Sequence, residues 1–135
     1  MSNVDADRAL ALVGTPFRAQ GREPRTGLDC AGVAICAFAQ PPEQFRRDYR
    51  LRGNHRDALH AALQAHFRRV PRSQCRGGDL MLLRVAADQL HLAIRTPVGF
   101  VHADAGIGHV VETPGIPRWP LLAVYRRRKR PIRRH

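Results

Sequence analysis

One cysteine of this 135-residue chain stands where a thiol can act as a nucleophile. Cys30 follows a loop with two glycines and begins the apolar run CAGVAICAFA. If that run is a helix, its dipole and the unpaired main-chain N–H groups of its first turn stabilise a thiolate at Cys30. A cysteine beside a buried helix is more commonly a small core residue. The prediction that Cys30 is catalytic therefore depends on the residues around it.

Two histidines lie in apolar segments, where an imidazole needs a partner because burying a polar group is otherwise costly. His91 is in QLHLAI and His102 is in FVHAD. We expect these segments to be adjacent strands with a turn near residues 97–99, so that the two rings are neighbours if they share a face. In this arrangement His91 is the general base for Cys30, and His102 orients it. A structural role for both histidines is the alternative.

Zinc binding is the competing chemistry for Cys30, His91 and His102. None of these residues belongs to a tight ligand pair such as H-x-x-x-H or C-x-x-C. The sequence therefore favours catalysis and predicts neither a metal nor another cofactor.

The elements that must position these side chains change character along the chain. The first half predicts helices over residues 5–13, capped by Ser2 or Asp5, over residues 30–39, and over residues 56–70. The segment between the first two, residues 17–29, reads as irregular and exposed. The second half predicts short strands at residues 79–85, 89–96, 99–103, 109–112 and 121–126. Helices followed by a meander of strands indicate an α+β fold, with the helices on one face of an antiparallel sheet.

The composition fits one folded domain, with 44% apolar and 25% charged residues. The net charge of +12 points to an anionic partner or simply to a solvated basic surface. Seven of the last eleven residues are Lys or Arg, which predicts a catalytic domain over residues 1–125 and a basic tail over residues 126–135. Three cysteines without a C-x-x-C pair suggest a reducing compartment. We also expect no secretory signal and no membrane span.

Several motifs around these residues resemble those of the NlpC-type cell-wall peptidases, which are papain-like cysteine peptidases. GTPFRAQGREPRTGLDCAG is similar to the family's nucleophile motif, GGDLMLL to the strand that follows, and LHLAI and GFVHAD to the strands of the base and the third residue. The match runs from about residue 8 to residue 125. It implies a papain-like fold with helices packed on a five- to six-stranded antiparallel sheet. It also implies Cys30 as nucleophile, His91 as base and His102 as orienting residue.

Three further residues acquire roles from the resemblance. Asp29 would recognise the free amine of a stem peptide, although a helix cap explains it equally well. Phe17 stands where the family usually has Tyr, whose hydroxyl is thought to assist the oxyanion site. Ala31 replaces the usual Ser on the substrate side. The last two departures bear on rate and substrate preference.

The resemblance implies a peptidoglycan hydrolase that cuts stem-peptide amide bonds, most often D-glutamyl to diaminopimelate. The spacing suits the short form that phages and gene-transfer particles encode. We therefore expect cytoplasmic synthesis, delivery on a virion or tail, and tail or baseplate proteins as partners. The alternatives are a structural tail-tip or baseplate component with a weak or inactive site, nucleic-acid binding through the basic tail, and amidase or acyltransferase chemistry on the same scaffold.

Overall fold

The structure, a computed structural model, describes residues 3–40, 56–64, 66–87 and 89–128. These residues form three α-helices: α1 (Val4–Ala11), α2 (Cys30–Ala37) and α3 (Arg56–Leu63). They also form eight strands and one 3-10 turn at Arg72–Gln74. The strands are β1 (Arg22–Glu23), β2 (Gly27–Leu28), β3 (Phe67–Val70), β4 (Leu80–Ala86), β5 (Gln89–Arg95), β6 (Gly99–Asp104), β7 (His109–Pro114) and β8 (Leu121–Arg127).

The strands build a six-stranded sheet and a separate two-stranded hairpin. The large sheet has the order β3-β8-β4-β5-β6-β7, and all its neighbouring strands are antiparallel. The hairpin consists of β1 and β2. The prediction of an α+β fold with an antiparallel sheet is thus confirmed.

Helix α2 lies at the centre of the larger core. Apart from Cys36, every residue of this eight-residue helix is buried, because its small and apolar side chains pack on all sides. It contacts β5 and β6 of the sheet and β1 of the hairpin. Its fit against the hairpin is close at Gly32, where an added Cβ would collide with the main-chain oxygen of Gly21. The nucleophile candidate therefore sits on an element held from two sides.

The opposite face of the sheet carries a smaller apolar cluster. Met81, Leu83, Ala93 and Phe100 form it, and Trp119 packs against them. Side chains alternate between the faces of a strand, so β5 and β6 contribute to both clusters.

The third predicted helix, residues 56–70, is wrong in its second half. Helix α3 ends at Leu63, and residues 67–70 form edge strand β3, paired with β8 from Phe67↔Arg127 to Val70↔Val124. Two apolar residues three positions apart fit a helix or the two ends of a short strand. The partner strand decides, and it lies more than fifty residues further along the chain.

Residues 17–29 are less irregular and less exposed than predicted. They contain the β1–β2 hairpin, and Gly21, Arg22, Gly27 and Leu28 are buried. The cap of α1 also differs from the prediction, because the side chain of Asn3, not Asp5, accepts hydrogen bonds from the main chain of Asp5 and Ala6. Ser2 lies outside the described residues.

The first residues of the predicted basic tail are bonded into the sheet. Arg126 and Arg127 belong to β8, where Arg126 pairs with Asp79 at 2.9 Å and Arg127 pairs with Asp5 at 3.1 Å. Residues 129–135 lie outside the described residues. Within the described ranges, no helix is long and apolar enough to cross a membrane.

Candidate active site

A cavity of about 400 Å³ opens between the start of α2 and strands β5 and β6. It brings together five of the six residues singled out in the sequence, because Phe17, Asp29, Cys30, His91 and His102 all line it. Ala31 does not line the cavity. It is buried within α2 with 3% of its surface exposed.

The cavity forms where two neighbouring strands part. Within the described ladder, β5 and β6 are paired only at Ile94↔Val101 and Arg95↔Phe100, next to their turn. Beyond these pairs the two histidine rings bridge the strands, with His91 Nε2 3.0 Å from His102 Nδ1 and the ring planes at 87°. The expected proximity of the two rings is therefore observed.

Cys30 and the histidines reach this cavity from opposite sides of the sheet. Leu92 and Val101 belong to the helix-side core with Cys30. By strand alternation, His91 and His102 project to the other face, where both rings contact Trp119. Because β5 and β6 separate here, the Cys30 thiol and the His91 imidazole can line the same cavity.

The polar chain continues beyond His102 to a residue that the sequence did not single out. Thr113 of β7 places its Oγ1 3.2 Å from His102 Nε2. Two sets of tautomers satisfy the whole chain. In one of them His91 Nε2–H donates to His102 Nδ1, and His102 Nε2–H donates to Thr113 Oγ1. This assignment leaves Nδ1 of His91 as the basic nitrogen.

Burial sets the protonation of the two central groups. Burial, and secondarily the nearby Asp29, raises the pKa of the Cys30 thiol to about 12, against hydrogen bonding from the Leu92 main chain and the charge of Arg22. Burial, and secondarily His102, lowers the pKa of His91 to about 4, against the opposing charge of Asp104. At neutral pH the cavity therefore holds a protonated Cys30 thiol and a neutral His91 imidazole.

Asp29 fixes the start of α2. Its Oδ1 accepts from the main chain of Gly32 at 2.8 Å and from Arg22 at 2.8 Å, and its Oδ2 accepts from the main chain of Gln20 at 3.0 Å. The Arg22 side chain is only 1% exposed. The helix-cap interpretation of Asp29 therefore describes what it does here, and Arg22, predicted as part of an exposed loop, is its buried partner.

Two aromatic side chains shape the cavity walls. Phe17 pairs with Leu28 through an isolated main-chain β-bridge. It lines the cavity and offers no hydroxyl group. Trp119 packs edge-on against His91 and His102, with ring centroids 5.9 Å apart in both pairs. No pattern around Trp119 in the sequence indicated this contact, since it comes from the connection between β7 and β8.

Metal ligation finds no support in the described part of the chain. There, no three His, Cys, Asp or Glu side chains converge so as to hold an ion.

The fold is similar to that of two solved mycobacterial proteins. The peptidoglycan hydrolase RipB from Mycobacterium tuberculosis superposes with a TM-score of 0.60 at 21% identity, over 91% of this chain and 62% of its own. The P60 domain of an antigen from M. avium subspecies paratuberculosis superposes with a TM-score of 0.57 at 18% identity, over 90% of both chains. At these identities the likeness concerns the fold. No family model matches the sequence, and the sequence comparison with curated proteins gave no match.

Proposed function

We propose that this protein is a peptidoglycan hydrolase that cleaves a stem-peptide amide bond with Cys30 as its nucleophile. The observation that carries the proposal is the single cavity lined by Cys30, His91 and His102, with the two imidazoles hydrogen-bonded at 3.0 Å. A thiol, a base and a group that orients the base are the minimum set for covalent acyl transfer. The fold shared with RipB supports peptidoglycan as the substrate.

The reaction begins from the neutral pair. As the Cys30 sulfur attacks the amide carbonyl carbon, His91 Nδ1 takes the thiol proton, and the carbonyl oxygen becomes an oxyanion. His91 then gives this proton to the leaving nitrogen, the C–N bond breaks, and a thioester to Cys30 remains. Water attacks the thioester while His91 takes one of its protons. That proton passes to the departing sulfur, which restores the starting state.

The first turn of α2 supplies the oxyanion donor. The main-chain N–H of Cys30 is the first of the helix and has no intrahelical partner, so it is the natural donor to the oxyanion. Phe17 offers no donor, whereas a tyrosine would. We expect the missing donor to reduce the rate on the order of a hundredfold.

The proposal extends to the amide bond that is cut and to the biological setting in which the protein acts. The sequence resemblance favours D-glutamyl to diaminopimelate as the bond. The short spacing of its motifs favours a phage or gene-transfer particle, with tail or baseplate proteins as partners and the cell envelope as the place of action. Mass spectrometry of the fragments identifies the bond, and detection of the protein in purified particles tests the setting.

The decisive experiment compares wild type, Cys30→Ala and Cys36→Ala on muramidase-solubilised peptidoglycan. Cys36 is the matched control because it lies on the same helix, outside the residues that line the cavity. We expect new fragments from wild type and Cys36→Ala, and a loss of activity on the order of ten-thousandfold or more in Cys30→Ala. Equal activity of the two variants would exclude Cys30 as nucleophile.

A structural tail component with a weak or inactive site is the second candidate. Phe17 and the raised pKa of the buried Cys30 favour it. Slow thiol alkylation is expected under both functions, because both predict a neutral thiol, so fragment release is the readout that separates them. If Phe17→Tyr releases more peptidoglycan fragments than wild type, a working site that lacks an oxyanion donor is supported. If neither protein releases fragments, the structural role is supported.

A further inference from the structure

A second cavity, of about 460 Å³, lies at the far edge of the sheet from β6 and β7. It is bounded by α3, edge strand β3 and the end of β8. The mechanism proposed above uses none of its residues. The polar side chains that characterise it are donors: Arg69, Arg128, His60 and Tyr125. Arg68 also lines the cavity, but it pairs with Arg126 in the sheet, so its side chain projects to the opposite face from Arg69.

The charge of this cavity is not balanced by the described part of the protein. The two arginines that precede Arg128 in the chain, Arg126 and Arg127, are each paired with an aspartate. No carboxylate among the described side chains lies within ion-pair distance of Arg68, Arg69 or Arg128. The guanidinium groups of Arg69 and Arg128 therefore lie at this cavity without a counter-ion from those residues.

Neighbouring contacts hold this surface in place. Arg69 lies over the Tyr125 ring, with its guanidinium carbon 5.8 Å from the ring centroid. The Tyr125 hydroxyl contacts His60. Arg128 Nε donates to the main-chain oxygens of Gln64 at 3.2 Å and Phe67 at 3.0 Å. These bonds use one of its nitrogens and leave the outer edge of its guanidinium for a ligand. The donors are thus partly ordered before anything binds, which lowers the entropy cost of binding.

We propose that this cavity is a binding site for a phosphate group carried by a flexible chain or headgroup. A carboxylate has two oxygens and satisfies one guanidinium fork, whereas a phosphate presents three or four acceptor oxygens and up to two charges to several forks at once. The cavity volume lies within the range of small-ligand sites. This proposal does not depend on the peptidase function, because binding is measured without turnover.

The test is calorimetric titration of the full-length protein at low ionic strength with inorganic phosphate, glycerol phosphate and acetate. We expect saturable binding of both phosphates and no saturable heat from acetate. Arg69→Gln should weaken phosphate binding about tenfold or more, since it removes charge-assisted hydrogen bonds. Arg25→Gln is the matched control, because Arg25 is an exposed arginine of the β1–β2 turn outside this cavity and its replacement removes the same charge.

Arg69→Lys keeps the charge and loses the planar fork. Weaker phosphate binding by Arg69→Lys, with an unchanged melting temperature, supports recognition by the fork. If Arg69→Gln binds as wild type does, or if Arg25→Gln weakens binding equally, the cavity is not the site and the phosphate is held elsewhere, for instance by the cations of residues 129–135.

Two further arms separate the sources of the phosphate. If wild type is retained on phosphatidylglycerol vesicles and Arg69→Gln is retained less, the phosphate belongs to a lipid headgroup. If the protein binds glycerol phosphate but is not retained on vesicles, the phosphate belongs to a soluble polymer or a wall polymer. The proposal is overturned if titration with inorganic phosphate and glycerol phosphate gives no binding heat while the protein binds duplex DNA through Arg69. The surface would then be a nucleic-acid site.

Discussion

Burial, rather than a preformed ion pair, governs the protons at the candidate active site. The pKa of Cys30 lies near 12 and that of His91 near 4, so the group that must lose a proton holds it tightly and the group that must accept it is a weak base. In the proposed mechanism the proton moves during attack on the substrate, when the developing charges stabilise each other. One of the two tautomer sets of the chain through His102 and Thr113 leaves His91 Nδ1 free to accept that proton.

The lowered pKa of His91 predicts the acid limit of activity. The proposed mechanism needs neutral His91, so kcat/KM on a soluble stem peptide should stay level as the pH falls through 6.5 and should reach half its value near pH 4. The same shift has a cost in stability: the unfolded chain takes up a proton at His91 below pH 6.5 and the folded chain does not, so the free energy of unfolding falls between pH 6.5 and about 4.

A pH–rate profile with circular dichroism at each pH measures both effects. A half-maximal rate near pH 6.5 in a protein that is still folded would contradict the buried, neutral His91.

Thr113 offers a finer test of the hydrogen-bonded chain. Thr113→Val keeps the shape of the side chain and removes the acceptor of His102 Nε2–H. A neutral hydrogen bond contributes about 1 kcal/mol, so we expect kcat to fall roughly fivefold with little change in KM. Thr113→Ser should recover most of the rate. Equal rates for Val and Ser variants would show that the hydroxyl has no part in positioning His102.

At the scale of elements, the fit between α2 and the β1–β2 hairpin positions the candidate nucleophile. Asp29 caps the helix, Arg22 of β1 holds Asp29, and Gly32 allows the hairpin backbone to approach. The approach is to a main-chain oxygen, which cannot rotate out of the way as a flexible side chain can. The start of α2 and the loop before it therefore behave as one unit.

Gly32→Ala tests this unit. Alanine is the better helix former by about 1 kcal/mol, but its methyl group would collide with the Gly21 main-chain oxygen, and overpacking of this kind costs about 2 kcal/mol. We expect lower stability in denaturant titration and lower kcat, because Cys30 shifts with the helix. Gly77→Ala is the control, since an added Cβ there meets nothing within 4 Å. A Gly32→Ala protein at least as stable as wild type would refute the close fit.

At the scale of the whole molecule, the described arginines are separated from the candidate active-site cavity. The chain carries a net charge of +12. Among the described residues, no Lys or Arg lines the cavity, whereas Asp29 and Asp104 do. Under the proposed function, we expect the positive charge of the described residues to act from a distance, by attracting an anionic wall.

This separation predicts a salt effect that depends on the substrate. Digestion of intact anionic cell wall should slow as ionic strength rises, because the screening length is about 10 Å at 0.1 M salt. Hydrolysis of a small stem peptide should change little over the same range. Parallel rate measurements at low and high salt check this, and an equal salt effect on both substrates would place the relevant charge inside the site.

Local patterns allowed much of the fold to be predicted. The apolar run after Cys30 indicated α2, and the short Val, Ile and Leu segments indicated β4 to β8, because spacing within ten residues reports which face of an element is buried. Strand β3 was missed, since FRRV is as compatible with a helix as with a strand. Its pairing with β8 decides, and that is a contact between distant parts of the chain.

The sequence by itself determined which residues are candidates for the chemistry: a cysteine at a helix start and two histidines on neighbouring strands. Only the tertiary structure decided how they meet, through the parting of β5 and β6, the Arg22–Asp29 pair and the contacts with Thr113 and Trp119. It also decided the pKa values of Cys30 and His91. Burial and electrostatic environment depend on everything packed around a group, so they are properties of the folded chain and not of any segment.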